Sequence, residues 1–134
     1  MLDGPSLEIF SQVVRSILCG TFLLSGMVEI SPGLSEEVHF LSLFEDFSRV
    51  VPLLNFISSQ EVYRILIGTT ELTCSVLILC SSGTSEVVLL SYYILLSIML
   101  GSVYSHFRIG DSFLWVFLPL LYAVMLLFMI KRSR

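Results

Sequence analysis

Four long runs of apolar residues, separated by polar connections, dominate this chain of 134 residues. A helix that spans a bilayer needs about 20 mainly apolar residues. The runs cover about residues 11–28, 62–80, 86–104 and 112–130, and each run predicts a transmembrane helix. The last two connections are short, which places successive helices side by side and antiparallel. The pattern predicts an all-α membrane protein, a four-transmembrane-helix bundle that forms a single domain over residues 1–134.

The connection between the first and second spans is longer and has a helical pattern of its own. From about residue 35 to about residue 51, apolar side chains recur with helical spacing and acidic side chains occupy the opposite face. Ser35 can cap the start of such a helix, and Pro52 is expected to end it. The sequence therefore predicts an amphipathic helix in this long loop, packed over the mouth of the bundle.

The composition agrees with a membrane protein. Hydrophobic residues make up 55% of the chain and charged residues 13%, whereas soluble domains carry about 25% charged residues. The formal net charge of −4 argues against a nucleic-acid partner. The three cysteines lack C-x-x-C spacing, which disfavours both a disulfide framework and a structural zinc site. The sequence contains no recognisable catalytic or nucleotide-binding motif, so we predict no catalytic residues, no cofactor and no metal.

Ionisable residues collect on the side of the membrane that holds the long loop, because the number of spans fixes the side of each one. They are Glu29, Arg64, His106, Arg108 and Asp111. Glu71 follows Arg64 by seven residues, so it lies on the same helix face and about 10 Å deeper. A carboxylate in the middle of a bilayer costs about 2.5–3.5 kcal/mol on insertion scales. We therefore expect these residues to face the interior of the bundle.

The face that carries Arg64 and Glu71 also carries Gly68, and Cys74 lies at its edge. A glycine there allows a neighbouring helix to approach closely. Three interpretations of the polar residues remain open. They pair to hold the bundle together, they bind a partner or ligand at the mouth, or they take part in catalysis or proton transfer.

Four motifs match a known family in order and spacing. G-M-V-E-I-S-P (residues 26–32), V-P-L-L (residues 51–54), R-x-x-I-G-x-x-E-L-x-C (residues 64–74) and H-x-x-x-G-D (residues 106–111) resemble the DoxX-like small membrane proteins, a family that includes the nicotinic acetylcholine receptor chaperone (NACHO). The resemblance covers about residues 26–111. The matching positions are Gly26, Pro32, Arg64, Gly68, Glu71, Cys74, His106, Gly110 and Asp111.

The resemblance implies a function. It implies a multi-pass protein of the endoplasmic reticulum membrane that promotes folding, assembly and surface delivery of nicotinic (Cys-loop) receptors, without catalytic residues. The expected partners are the lipid bilayer and receptor subunits. The basic C-terminal sequence KRSR resembles a dibasic retrieval signal and favours cytosolic termini under the positive-inside rule.

The sequence departs from the family at two positions near the mouth. Relatives carry lysine where this chain has Glu29 and an apolar residue where it has Arg108. We therefore expect Arg108 to neutralise the carboxylates at the mouth in place of that lysine.

Two alternative functions stay open. Because DoxX is associated with quinone-linked chemistry, the resemblance also allows a quinone-linked membrane redox protein. The chain could instead be a structural subunit of a larger membrane complex, which would show a fixed stoichiometry with its partners.

Overall fold

The computed structural model of the protein describes residues 4–31, 60–82 and 85–134. These residues form four helices: α1 (Gly4–Ile30), α2 (Gln60–Cys80), α3 (Glu86–Ile109) and α4 (Phe113–Ser133). All four are long and apolar enough to cross a membrane. The prediction of an all-α, four-span membrane protein is therefore confirmed. The predicted amphipathic helix at about residues 35–51 lies outside the described residues.

The helices form a closed, antiparallel arrangement in which α1 packs on α2, α2 on α3, α3 on α4 and α4 on α1. The contact between the first and last helices shows their relative direction. Phe10 meets Phe128 edge to face, with ring centroids 5.4 Å apart, and Phe22 meets Tyr122 with centroids 5.9 Å apart. We call the end that holds Gly4, Cys80, Glu86 and Ser133 the terminal end, and the opposite end the loop end.

Two helices extend beyond the apolar runs by five residues or more at one end. Helix α1 begins at Gly4, ahead of its predicted start near residue 11, and α3 continues to Ile109 rather than ending near residue 104. Gly110 ends α3 in the left-handed conformation, with φ of 81°, and its N–H bonds back to the helix carbonyls. Only glycine adopts this conformation without a steric cost. The polar residues at the end of α3 are therefore helical, although hydropathy alone ends the span before them.

Apolar side chains fill the centre of the bundle, and each helix contributes a fully enclosed residue: Leu18, Ile78, Leu95 and Leu126. The outer faces carry many large, exposed apolar side chains, which suits a surface that contacts lipid. The interior is therefore a closed core towards the terminal end.

An arginine from α1 binds the C-terminal end of α2. The Arg15 guanidinium donates hydrogen bonds to the backbone carbonyl oxygens of Ile78 and Ser81, the latter at 3.1 Å. The last carbonyl groups of a helix have no partner within the helix, so a side-chain donor is needed where water is excluded. This contact fixes α1 against α2 at the terminal end.

Candidate functional site

Three ionisable side chains are buried between α1 and α2, in the region from the middle of the bundle to the loop end. Glu29 is 5% exposed, and Arg64 and Glu71 are each 2% exposed. Charged side chains in a bilayer generally face the bundle interior and pair with one another or with backbone carbonyls. The expectation that these three residues point inwards agrees with their burial.

Arg64 joins α2 to the end of α1. Its Nη1 atom donates a hydrogen bond to the backbone carbonyl oxygen of Glu29, and its charge also acts on the Glu29 carboxylate. Glu29 lies next to the last residue of α1, where carbonyl groups lack partners within the helix. Arg64 therefore satisfies the end of α1 and lies beside one of the two buried carboxylates.

A single hydroxyl group serves both carboxylates. Ser25 is a hydrogen-bond partner of Glu29 and of Glu71, and the two carboxylates also act on each other electrostatically. A serine hydroxyl carries only one proton, so it donates to one carboxylate at a time. The Oε2 atom of Glu71 is buried, and no hydrogen-bond partner for it lies among the described residues.

The close approach of α1 and α2 at this level depends on two glycines. A Cβ atom built on Gly26 would lie 2.7 Å from the backbone oxygen of Gly68, and one built on Gly68 would lie 2.8 Å from the Cβ of Glu29. Any larger residue would push the helices apart. The predicted role of Gly68 in close helix packing agrees with this contact, and its partner is Gly26.

A partly open cavity of about 390 Å³ lies beside the carboxylates. All four helices contribute to its lining. Among the described residues, its polar lining consists of Ser25, Glu29, Tyr63, Glu71, Ser97, Ser102, Ser105 and His106, and Ile67, Ile98, Met99, Gly101 and Trp115 complete it. The volume falls in the range of about 300–1,000 Å³ that is typical of small-molecule sites.

The turn between α3 and α4 holds a second polar group at the rim of the cavity. His106 Nδ1 and Asp111 Oδ2 are 2.6 Å apart, and the Asp111 N–H donates to the His106 carbonyl oxygen at 3.1 Å. The imidazole also stacks on the Trp115 ring, with centroids 6.3 Å apart and an interplanar angle of 20°. Gly110, Asp111 and Trp115 therefore fix the orientation of His106.

The structure brings most of the predicted polar residues together at the loop end, with two exceptions. Cys74 is buried in the apolar core and has Ser91 as its hydrogen-bond partner. Arg108 is exposed, and none of the described acidic residues forms an ion pair with it. The hypothesis that Arg108 neutralises the mouth carboxylates is therefore not supported by the geometry. The adjacent cation is Arg64, which reaches across to Glu29 on α1.

Sequence reasoning missed most of the cavity lining, including Ser25, Tyr63 and Trp115. Ser25 precedes Glu29 by four residues, so helical spacing alone puts the two on one face, and this signal was available. Tyr63 and Trp115 line the cavity, yet aromatic residues near helix ends are typical of membrane interfaces. Their role depends on how the helices pack, which spacing within one helix does not reveal.

In the described part of the chain, no group of three or more histidine, cysteine or acidic residues is arranged to hold a metal ion. Comparison with known proteins finds no matching family model and no curated protein that matches this sequence. The site is therefore interpreted from its own geometry and from the motif resemblance.

Proposed function

We propose that this protein is a membrane-resident assembly factor for an oligomeric membrane-protein client, with nicotinic receptor subunits as the client. The observation that supports the proposal most is the convergence of the residues that carry the family resemblance. Gly26, Arg64 and His106 come from three motifs that are distant in sequence, yet all three lie in the half of the bundle nearer the loop end, and Gly68 and Glu71 follow Arg64 by one and two turns of α2. Shared motifs that converge on one region favour a shared role for that region.

The lipid-facing surface supports a mechanism of contact within the membrane. Large apolar side chains cover the outer faces of all four helices, including Leu24, Leu66, Leu90 and Val124. Such faces can pack against the helices of an unassembled subunit and be released when subunits associate. Helix contacts in lipid are individually weak, at about 0.6–2 kcal/mol for a polar contact, which suits a factor that leaves the mature complex.

The proposed location is the endoplasmic reticulum membrane, where receptor subunits assemble. The basic residues at the end of α4, Lys131 and Arg132, lie at the terminal end of the bundle. The positive-inside rule puts this end in the cytosol and the cavity on the lumenal side. The receptor-facing surface would then include the loop end.

Co-expression tests this proposal. A nicotinic subunit that forms homopentamers is expressed in cells with and without the full chain, and surface receptor is counted by binding of a labelled antagonist. We expect wild type to raise surface receptor, and E71Q to raise it less at equal protein level. The matched control is E61Q, which removes the same charge from an exposed position on the same helix. No increase with the wild-type chain would contradict the proposal.

The volume of the cavity, taken without the charge of its lining, also allows a second candidate, a quinone-linked membrane redox protein. A partly apolar cavity of about 390 Å³ inside a membrane bundle has room for a ring compound. This candidate predicts that the purified protein carries a quinone in its organic extract, detected by mass spectrometry. An extract that contains no quinone would contradict the redox protein. If the protein also raises surface receptor, the assembly factor is the function that the two results support.

A further inference from the structure

The two buried carboxylates differ in their surroundings. Arg64 lies beside Glu29 and acts on its charge, whereas the groups that act on Glu71 are the neutral hydroxyl of Ser25 and the like charge of Glu29. Glu71 is 2% exposed, and Oε2 has no hydrogen-bond donor among the described residues. A buried carboxylate oxygen left without a donor is costly, because burial removes its hydration. The Glu71 side chain lines the cavity, so a donor that enters the cavity meets this carboxylate.

The lining of the cavity selects for positive charge. It holds two carboxylates, and none of its described lining residues is lysine or arginine. Trp115 and Tyr63 also line it, and the faces of aromatic rings attract cations. Carboxylates disfavour ligands that present only acceptor oxygens, such as the carbonyl groups of a quinone. The lining therefore fits a donor that is positively charged.

The position of the cavity indicates an apolar body on the ligand. An apolar groove runs along the outside of α2 and α3, and Tyr63, Ile67, Ser97 and Ile98 line both the groove and the cavity. A molecule dissolved in the bilayer could enter from this groove. Because the cavity lies among all four helices, it has room for a small molecule and not for a client helix.

We propose that the cavity is a binding site for a small organic amine, in which the ammonium group donates to the Glu71 carboxylate and the apolar body packs between α2, α3 and Trp115. The ammonium supplies a charged donor to a carboxylate that has an oxygen without a hydrogen-bond partner among the described residues. The serine hydroxyls on α3 lie around the same space and can take part in orienting the ligand. This inference is independent of the proposed function, since its test contains no client protein.

The test compares two probes that differ mainly in charge. The full chain is purified in a neutral maltoside detergent, and binding of 4-fluorobenzylamine and of 4-fluorobenzyl alcohol is followed by ¹⁹F NMR. We expect the amine to bind at least about tenfold more tightly than the alcohol, since removing one partner of a buried charge pair leaves the other charge unpaired and weakens binding. E71Q should abolish that preference, and E61Q should keep it.

A second variant, G101L, keeps the Glu71 carboxylate and reduces the volume of the cavity. A Cβ atom at Gly101, which borders the cavity, meets nothing within 4 Å, so G101L can be accommodated and fills part of the volume. We expect G101L to weaken amine binding while G20L, at another glycine with open space, does not. Equal binding of amine and alcohol would overturn the proposal, as would amine binding unchanged in both E71Q and G101L. Equal binding is also the result expected if Glu71 holds a proton and needs no cation.

Discussion

Arg64 on α2 donates a hydrogen bond to the backbone carbonyl oxygen of Glu29, at the C-terminal end of α1. Arg15 on α1 does the same for the C-terminal end of α2, through the carbonyl oxygens of Ile78 and Ser81. Each of these two helices therefore caps the other with an arginine. Carbonyl groups at helix ends need partners wherever water is excluded, so these reciprocal contacts explain how two charged side chains are accommodated in an apolar bundle.

Replacing Arg64 with methionine should destabilise the bundle strongly. The substitution removes the donor to the Glu29 carbonyl and leaves the Glu29 carboxylate without its neighbouring cation, a loss of about 3 kcal/mol. The matched control is R108M, because Arg108 is exposed and forms no ion pair with the described residues. Thermal unfolding in detergent should show a lowered midpoint for R64M only. Equal midpoints for the two variants would mean that Arg64 contributes no more than a surface arginine.

Alanine at Gly26 or Gly68 should weaken the contact between α1 and α2. The added methyl group meets backbone or Cβ atoms at 2.7–2.8 Å, and such overpacking typically costs about 1–3 kcal/mol. G20A provides the control, because a Cβ atom there meets nothing within 4 Å. The measurement is again the unfolding midpoint in detergent, and G20A should match or exceed wild type because alanine favours helix.

Replacing Asp111 with asparagine should destabilise the turn between α3 and α4 and lower the unfolding midpoint. The change removes the negative charge from the 2.6 Å contact with His106, and hydrogen bonds to charged groups contribute about 1.5–3 kcal/mol. Since His106 stacks on Trp115, the tryptophan fluorescence should also change, and Trp115 is the single tryptophan of the chain. An emission spectrum and a midpoint identical to wild type would show that Asp111 does not hold this turn.

Cys80 should report which side of the membrane the terminal end faces. It is the exposed cysteine, whereas Cys19 and Cys74 are buried. In cells whose plasma membrane alone is permeabilised, an impermeant maleimide should label Cys80 if the terminal end is cytosolic. The C80S variant should lose the label. Labelling that requires permeabilisation of the internal membranes would reverse the proposed orientation.

Much of the fold follows from hydropathy, because lipid requires long apolar helices whose backbone groups bond internally. The four spans and their order are predictable for this reason. Helix ends are less so: Gly4 and Ile109 lie beyond the apolar runs, since a helix continues for as long as its hydrogen bonds and caps allow.

The site is predictable only in part. The burial of Glu71 is predictable because a carboxylate near the middle of an apolar span is expected to face the bundle interior. The close approach at Gly68 is predictable because helical spacing places this glycine on the same face. The choice of Glu29 rather than Glu71 as the neighbour of Arg64 depends on the register between α1 and α2. The hypothesis that Arg108 neutralises the mouth carboxylates depends on where its side chain points, and counting spans gives only the side of the membrane; the position is exposed.

Affinity purification decides whether this protein assists receptor assembly. The full chain carries an N-terminal tag, is expressed with nicotinic receptor subunits and is purified in mild detergent. Mass spectrometry then identifies the bound proteins and their glycans. We predict substoichiometric receptor subunits with immature glycans, enriched over an unrelated four-span membrane protein purified in the same way. Recovery of the chain without receptor subunits, or with mature receptor at fixed stoichiometry, would contradict the assignment as an assembly factor.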